Sequence, residues 1–228
     1  MKKFLIIPAG GVGTRMESSI PKQYLKLKNG RSVLDTTIGK FLSSNFFDLI
    51  LIPTVSKYFW KKSIYFKNSR IKICKNGKSR SESVYKALLE LKNVSKQNDW
   101  IFVHDGVRPC IKVKKVIDLY KKILMEGSIG GFFVKKISET IKKIDGKTSL
   151  VQDLDRRNLY SAQTPQIFIL NKLLYALQVL HEKDISLNDE ASAIELFFKE
   201  KKISTEEYIG SNIKITRPED IDIANLFL

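Results

Sequence analysis

A glycine-rich segment near the start of the chain carries residue types that bind phosphate. It reads Pro-Ala-Gly-Gly-Val-Gly-Thr-Arg-Met over residues 8–16, follows the apolar run 4–7, and precedes Pro-Lys-Gln-Tyr at 21–24. Glycines let the backbone approach a ligand closely, and a turn after a strand directs several N–H groups to one point, which suits phosphate oxygens. Arg15 and Lys22 can neutralise the charge that a phosphoryl group spreads over its oxygens. The segment therefore predicts a triphosphate site with its own catalytic cations.

Two standard nucleotide motifs do not describe this segment. A P-loop requires Lys followed by Ser or Thr directly after its second glycine, and no such pair stands at that spacing. A dinucleotide fingerprint requires a third glycine at the position of Met16. A tight turn that binds nothing is the structural alternative, and the nearby cations favour the phosphate site over it.

The composition is that of a globular protein. The chain has 228 residues, of which 43% are hydrophobic, so it can bury one sizeable core, and we predict a single domain over 1–228. No apolar stretch has transmembrane length, and about five apolar residues after Met-Lys-Lys are too few for a signal peptide. Cys74 and Cys110 have neither metal-site nor disulfide-framework spacing, which is typical of free thiols in the cytoplasm.

The net charge of +16 raises a different class of function, that of a nucleic-acid-binding protein. The lysines, however, are scattered as pairs such as 61–62 and 142–143, and no basic block alternates with aromatic residues in the manner of a base-stacking surface. We therefore expect no nucleic-acid partner and no membrane partner. A basic protein still attracts small anionic substrates.

Apolar runs alternate with helical periodicity through the first 135 residues. This order predicts an α/β protein with a mostly parallel sheet and helices on both faces. The predicted strands are 3–8, 48–53, 70–74, 99–104 and 130–134, and the predicted helices are 32–44, 56–66, 80–92 and 113–126.

The alternation stops after residue 135. Apolar residues surround Asp145-Gly146, and Asp-Gly between alternating segments favours a hairpin, so we predict a protruding β-arm at about 136–160. Beyond the arm, the patterns predict helices at 169–181 and 188–198, strands at 203–208 and 211–216, and a last helix from Pro218.

Three turns follow predicted strands and should meet at one edge of the sheet. They are the glycine-rich segment, the turn 75–78 and the turn 104–106, and ligands bind beyond the carboxyl ends of such strands. Asp105 is then placed to hold Mg²⁺, which prefers carboxylates together with phosphate oxygens. The alternative for Asp105 is a turn residue that caps the next helix. His104 is expected to be a packed strand residue.

Further polar residues have both a functional and a structural interpretation. The pair Arg156-Arg157 can grip a phosphate, or it can form a solvated basic patch. Asn188 and Asp189 are typical of a helix N-cap, with a site role as the second possibility. Lys214 lies among apolar residues in a predicted strand, where burial without an anion is costly, so we predict a phosphate ligand.

Together, the motifs resemble those of the 2-C-methyl-D-erythritol 4-phosphate cytidylyltransferase family over nearly the whole chain. They read P-A-G-G-x-G-T-R-M, P-K-Q-Y, V-H-D-G-V-R-P, L-Y-S-A-Q-T-P-Q, D-E-A-S and N-I-K-I-T-R-P-E-D. The resemblance implies a single domain over 1–228 with a Rossmann-like nucleotidyltransferase fold, built on a mostly parallel twisted sheet. It further implies CTP and a polyol phosphate as substrates, Mg²⁺ as cofactor, and a homodimer formed through exchange of β-arms. It also implies direct transfer of CMP to 2-C-methyl-D-erythritol 4-phosphate with release of pyrophosphate.

The resemblance also assigns roles to single residues. It makes Arg15, Lys22 and Lys214 catalytic cations, and it places Asp105 near both the metal and the substrate. It implies nucleotide binding by Ala9, Gly10, Gly11, Gly13, Gly77 and Ser83. It implies substrate binding by Asp105, Arg108, Thr140, Arg156 and Thr164, with Thr140 and Arg156 reaching the site of the neighbouring subunit.

Several positions depart from the family pattern. Gly10 stands where Ala is common, Lys78 where an acidic residue is frequent, and Asn188 where Thr precedes D-E-A-S. Ribitol-5-phosphate cytidylyltransferases share part of the motif set and remain an alternative. A nicotinamide-dependent oxidoreductase is less consistent with the sequence, because no acidic residue ends the second predicted strand.

Overall fold

Strands and helices alternate through the first half of the computed structural model, which describes residues 1–11, 20–55, 57–146 and 150–228. The strands are β1 (Lys3–Ile6), β2 (Leu49–Thr54), β3 (Ile71–Lys75), β4 (Trp100–Val103), β5 (Gly130–Lys136), β6 (Ile141–Ile144), β7 (Val151–Leu154), β8 (Tyr160–Ile169) and β9 (Ile203–Glu207). The helices are α1 (Val33–Ser43), α2 (Lys57–Trp60), α3 (Arg80–Leu89), α4 (Val113–Met125), α5 (Leu170–Glu182), α6 (Glu190–Phe197) and α7 (Glu219–Asn225), with a short 3-10 helix at Lys22–Tyr24. Within these described ranges, no helix combines the length and the apolar character that crossing a membrane requires.

Seven of the nine described strands form one sheet, in the order β3-β2-β1-β4-β8-β5-β9. The pairs β3–β2, β2–β1, β1–β4 and β5–β9 are parallel, whereas β8 runs antiparallel to both of its neighbours, β4 and β5. The predicted fold class, an α/β protein with a mostly parallel sheet, is confirmed.

Side chains alternate between the two faces of β1, and each face packs against helices. Leu5 belongs to a buried cluster that includes Ile38 of α1 and Leu119 of α4. Phe4 belongs to a second cluster, which includes Leu88 of α3 and Leu173 of α5. The helices therefore cover both faces of the sheet, as the near-continuous apolar strands predict.

The arm leaves the sheet as an extension of β5 and β8. The ladder between these strands is interrupted between Phe132 and Phe133, opposite Thr164 and Pro165. Beyond the interruption, β5 and β8 stay paired to their exposed ends, and β6 and β7 form a separate antiparallel hairpin. A hairpin therefore lies within the range 136–160, as predicted, and residues 147–149 of its connection lie outside the described residues.

The structure corrects two element predictions and shows one strand that was not predicted. The predicted helix 56–66 is helical only over Lys57–Trp60, after which a series of turns begins. The predicted strand 211–216 is wrong: its apolar residues pack into a small cluster around Val107, but its backbone joins no strand. The strand Tyr160–Ile169 was not predicted, because its first half is polar and Pro165 interrupts it.

The close approach of β5 and β8 gives a stability prediction at Gly130. A Cβ there would lie 2.0 Å from Cδ1 of Phe168 and 2.4 Å from the carbonyl oxygen of Ile167. We expect Gly130→Ala to lower the free energy of unfolding by about 1–3 kcal/mol, the range for overpacking a core, measured by urea denaturation. Gly146→Ala is the matched control, because no heavy atom lies within 4 Å of its Cβ position. Equal stability of the two variants would contradict the prediction.

Candidate active site

The three turns that the sequence places at one edge of the sheet do meet there. They surround an open cavity of about 250 Å³. Its lining consists of 8–11, Lys22, Gln23, 76–80, Ser83, 105–107 and Lys214. The carboxyl ends of β1, β3 and β4 thus supply most of the wall, together with the segment that precedes α7.

The Pro-Lys-Gln-Tyr motif holds the glycine-rich loop in place. The side-chain amide of buried Gln23 donates hydrogen bonds to the carbonyl oxygens of Ala9 (2.8 Å) and Gly11 (3.0 Å). Lys22, the preceding residue, lines the cavity. The motif therefore combines one cation at the cavity with a neighbour that fixes the loop. Gly13 and Arg15, two of the predicted site residues, lie outside the described residues.

The turn between β3 and α3 forms the opposite wall. The Gly77 N–H donates to the hydroxyl of buried Ser83 at 2.9 Å. A Cβ at Gly77 would lie 2.6 Å from the Ser83 nitrogen, so glycine is needed there. Ser79 caps α3 by accepting a hydrogen bond from the Glu82 N–H, and the start of this helix lines the cavity. A helix N-terminus favours negative charge, which suits a phosphate ligand.

Asp105 carries a buried negative charge at the floor of the cavity. Its Oδ1 lies 3.1 Å from Nε of Arg80, and its Oδ2 lies 3.2 Å from Nε of Arg108 and 3.0 Å from Nζ of Lys214. Burial alone raises the pKa of this carboxyl, but Arg80, Lys214 and Arg108 together hold the pKa far below its ordinary value. The carboxylate is therefore ionised at every physiological pH.

Arg80 also joins the floor to α6 through Glu190, which is fully buried. Nη1 of Arg80 donates to both carboxylate oxygens of Glu190, at 2.7 and 2.9 Å. Burial raises the pKa of Glu190, and the Arg80 charge opposes that rise. Neither Arg80 nor this role of Glu190 was predicted. The sequence indicates Arg80 only by its place in the serine-rich helix start that follows the turn 75–78.

The adjacent Asp189 is a helix cap, in agreement with the structural interpretation of the 188–192 segment. Its side chain accepts a hydrogen bond from the Ser192 N–H at 3.0 Å. Gln166 of β8 donates to the other oxygen of Asp189 at 2.8 Å. The cap thereby ties α6 to the sheet beside the cavity.

Thr164 and Arg108 lie behind the cavity wall. The Thr164 hydroxyl accepts from the Asp105 N–H (3.1 Å) and lies 3.1 Å from Nδ1 of His104, whose Nε2 lies 3.2 Å from the Arg108 carbonyl oxygen. Because that carbonyl can only accept, the proton is on Nε2 and the Thr164 hydroxyl donates to Nδ1. Arg108 donates to the carbonyl of Asn212 at 2.6 Å, which fixes the segment that carries Lys214.

The two predicted arm residues are not brought to this cavity within one chain. Thr140 and Arg156 are both exposed, and neither lines the cavity. Arg156 contacts the carbonyl oxygen of Ser138 within the arm. Lys214, by contrast, reaches the cavity from an extended segment and not from the strand that the sequence predicts.

Comparison with known proteins gives consistent results. Residues 4–228 match the family model described as IspD: 2-C-methyl-D-erythritol 4-phosphate cytidylyltransferase. The chain is 40% identical to the enzyme of that name from Vesicomyosocius okutanii and 40% identical to that from Ruthia magnifica, covering 99% of this chain and 96% of each relative. The crystal structure of the Francisella tularensis enzyme of that name superposes with a TM-score of 0.85 at 37% identity, with complete coverage of both chains.

The buried His104 gives a pH prediction. Burial lowers its pKa from 6.5 to about 3, so between these values the unfolded chain binds a proton that the folded chain does not. Stability therefore falls with falling pH, by about 2 kcal/mol between pH 7 and pH 5 for this group alone. We expect His104→Gln to remove this difference, as measured by urea denaturation at the two pH values. Asp105 titrates well below this range, so an unchanged pH dependence in the variant would exclude His104 as its source.

Proposed function

The chain belongs to the 2-C-methyl-D-erythritol 4-phosphate cytidylyltransferase family, and we propose that its cavity binds CTP and 2-C-methyl-D-erythritol 4-phosphate and transfers CMP between them. It is a nucleotidyltransferase of the non-mevalonate route to isoprenoid precursors. The observation that supports the assignment of the reaction to this cavity is the convergence of a glycine-rich loop, a helix N-terminus and three lysines around one space. The cytoplasmic location expected from the free thiols is part of the proposal.

The nucleotide is proposed to lie between the glycine-rich loop and the β3–α3 turn. Ala9, Gly10 and Gly11 offer backbone with little side-chain bulk on one side, and Gly77 and Ser83 do so on the other. The N-terminus of α3 favours the charge of the triphosphate. Gly13, which lies outside the described residues, is included in this loop on the strength of the motif.

Lys22, Lys214 and Arg15 are proposed to stabilise the charge that develops on the α-phosphate. In an in-line displacement, a phosphate oxygen of the acceptor forms the bond to the α-phosphorus, the bond to the β-phosphate oxygen breaks, and pyrophosphate leaves. No covalent bond to the protein is needed, so catalysis consists of positioning and charge stabilisation. Lys22 and Lys214 line the same cavity from segments that are far apart in the chain, which suits a substrate held between them.

Mg²⁺ is proposed to enter with the nucleotide. No group of three potential ligand side chains (His, Cys, Asp or Glu) occurs among the described residues, so the chain shows no dedicated metal cage there. Mg²⁺ in phosphate-transfer sites is commonly held by one or two carboxylates plus substrate phosphates. Asp105, the one carboxylate among the described lining residues, fits that mode and would hold the ion. When bound, Mg²⁺ neutralises phosphate charge, and the cations around Asp105 compete with it.

The acceptor end of the site is proposed to be completed by a second copy of the chain. Arg108 and Thr164 hold the floor from behind, and Asp105 and Lys214 face the cavity. In a homodimer formed through the arms, the exposed Thr140 and Arg156 would supply contacts to the acceptor phosphate of the partner. This arrangement would explain why Thr140 and Arg156 are exposed and do not line the cavity of their own chain.

The choice of acceptor is tested by pyrophosphate release from CTP with two polyol phosphates in parallel. We expect a higher kcat/KM with 2-C-methyl-D-erythritol 4-phosphate than with ribitol 5-phosphate. The extra methyl group is worth only about 1–3 kcal/mol in an apolar pocket, so the preference is expected to be finite. Faster turnover of ribitol 5-phosphate would replace the acceptor while leaving the cytidylyltransferase reaction in place. No release with either acceptor would contradict the reaction itself.

Shared sites are tested by mixing inactive variants. Lys22→Ala is expected to lower kcat by about 10²-fold, the scale for one lost transition-state donor, and Arg156→Ala should disable the partner's site. Mixed and allowed to exchange, the two variants should regain activity, because a heterodimer holds one site with both residues intact.

The matched control mixes Lys22→Ala with Lys214→Ala. Both residues belong to the same cavity, so every site of that heterodimer is defective and no activity should return. Exchange is followed by native mass spectrometry. Equal recovery in both mixtures, or no recovery in either despite exchange, would show that Arg156 does not serve a neighbouring chain.

A further inference from the structure

The side chain of Asn76 occupies the space in the cavity wall that a side chain at position 10 would need. A Cβ on Gly10 would lie 1.8 Å from Oδ1 of Asn76, 2.1 Å from its Cγ and 2.5 Å from its Nδ2. Both residues line the cavity. The side chain of Asn76 therefore rests against the bare backbone of the glycine-rich loop, and it does so only because position 10 has no side chain.

The amide of Asn76 is held in one orientation. Its Nδ2 donates to the carbonyl oxygen of Gly77 at 2.6 Å, and its Oδ1 lies 3.0 Å from the Ser83 hydroxyl, which shares its one proton with the carbonyl oxygen of Ser79 at 2.7 Å. The reversed amide would place Oδ1 against the Gly77 carbonyl oxygen, which repels it. An amide nitrogen carries two protons, and Gly77 takes one, so the second N–H can bond to a ligand in the cavity that Asn76 lines.

We propose that the amide of Asn76 selects the base of the bound nucleotide. The absence of a side chain at Gly10 leaves the room that this amide needs in the cavity wall. This inference rests on the proposed function, because it concerns the same nucleotide pocket. The ligand feature is a hydrogen-bond acceptor on the edge of a pyrimidine. Cytosine has acceptors at both N3 and O2, whereas uracil carries a proton on N3. A fixed N–H donor directed at N3 therefore favours cytosine over uracil, whose acceptors O2 and O4 lie on either side of that position.

Asn76→Gly is expected to raise the KM for CTP about threefold to tenfold, the effect of one hydrogen bond, with a smaller effect on kcat. The ratio of kcat/KM for CTP over UTP should fall by a similar factor. Gly10→Ala should act in the same direction, since its methyl group displaces the amide. The double variant should be no worse than Asn76→Gly alone, because the amide is already gone.

Thermal unfolding provides a readout that does not depend on turnover. Gly10→Ala should lower the Tm, and adding Asn76→Gly should restore it, since the clash then disappears. Asn98→Gly is the control for the Asn-to-Gly change itself, because Asn98 is an exposed turn residue outside the cavity lining, and it should leave base preference unchanged. A wild-type Tm and KM in Gly10→Ala, or additive effects in the double variant, would contradict the proposed dependence of the Asn76 amide on Gly10.

The same variants separate this inference from the proposed reaction. Thermal shifts with CTP and with UTP, without acceptor, report base binding directly. A larger CTP shift that Asn76→Gly removes supports base selection even where the acceptor assay shows no pyrophosphate release. An equal preference for CTP over UTP in wild type and Asn76→Gly would overturn the role of Asn76 while leaving the reaction untouched.

Discussion

One buried charge determines how the pieces of this site are held together. Transferring an unpaired carboxylate from water to a protein interior costs several kcal/mol, so Asp105 requires cations around it. Those cations come from three different parts of the chain: α3 provides Arg80, the turn after β4 provides Arg108, and the segment before α7 provides Lys214. Without the carboxylate, three positive charges would face one another. The ion pairs thus join α3 to two segments that already pack against each other around Val107.

The apolar periodicity was sufficient to predict the core of the fold. Buried parallel strands leave near-continuous apolar runs, and βα turns follow them, so the common edge of the sheet could be inferred. The strand Tyr160–Ile169 was missed because half of it lies in the exposed arm and needs no apolar residues. The segment 211–216 was mistaken for a strand because its alternation reflects packing of Ile213 and Ile215 near Val107, not pairing with a neighbour.

Residues of the candidate site were predicted only where the residue type and its position in the motif themselves indicate a chemical role. Asp105 and Lys22 were identified because a carboxylate after a strand and a cation beside a glycine-rich loop suggest phosphate chemistry. Gln23 and Arg80 carry no such signal, since their roles depend on carbonyl and carboxylate partners that are distant in sequence. The conflict between Gly10 and Asn76 is likewise visible only in three dimensions, because 65 intervening residues separate the two positions.

The interrupted ladder between β5 and β8 has a mechanical consequence. A bulge bends the strand that carries it, so the interruption at Thr164 and Pro165 sets the direction in which the arm leaves the sheet. Thr164 is also the residue whose hydroxyl holds the backbone of Asp105. The residue at which the arm leaves the sheet therefore also holds the buried carboxylate, so a partner that reoriented the arm would shift the floor of the cavity.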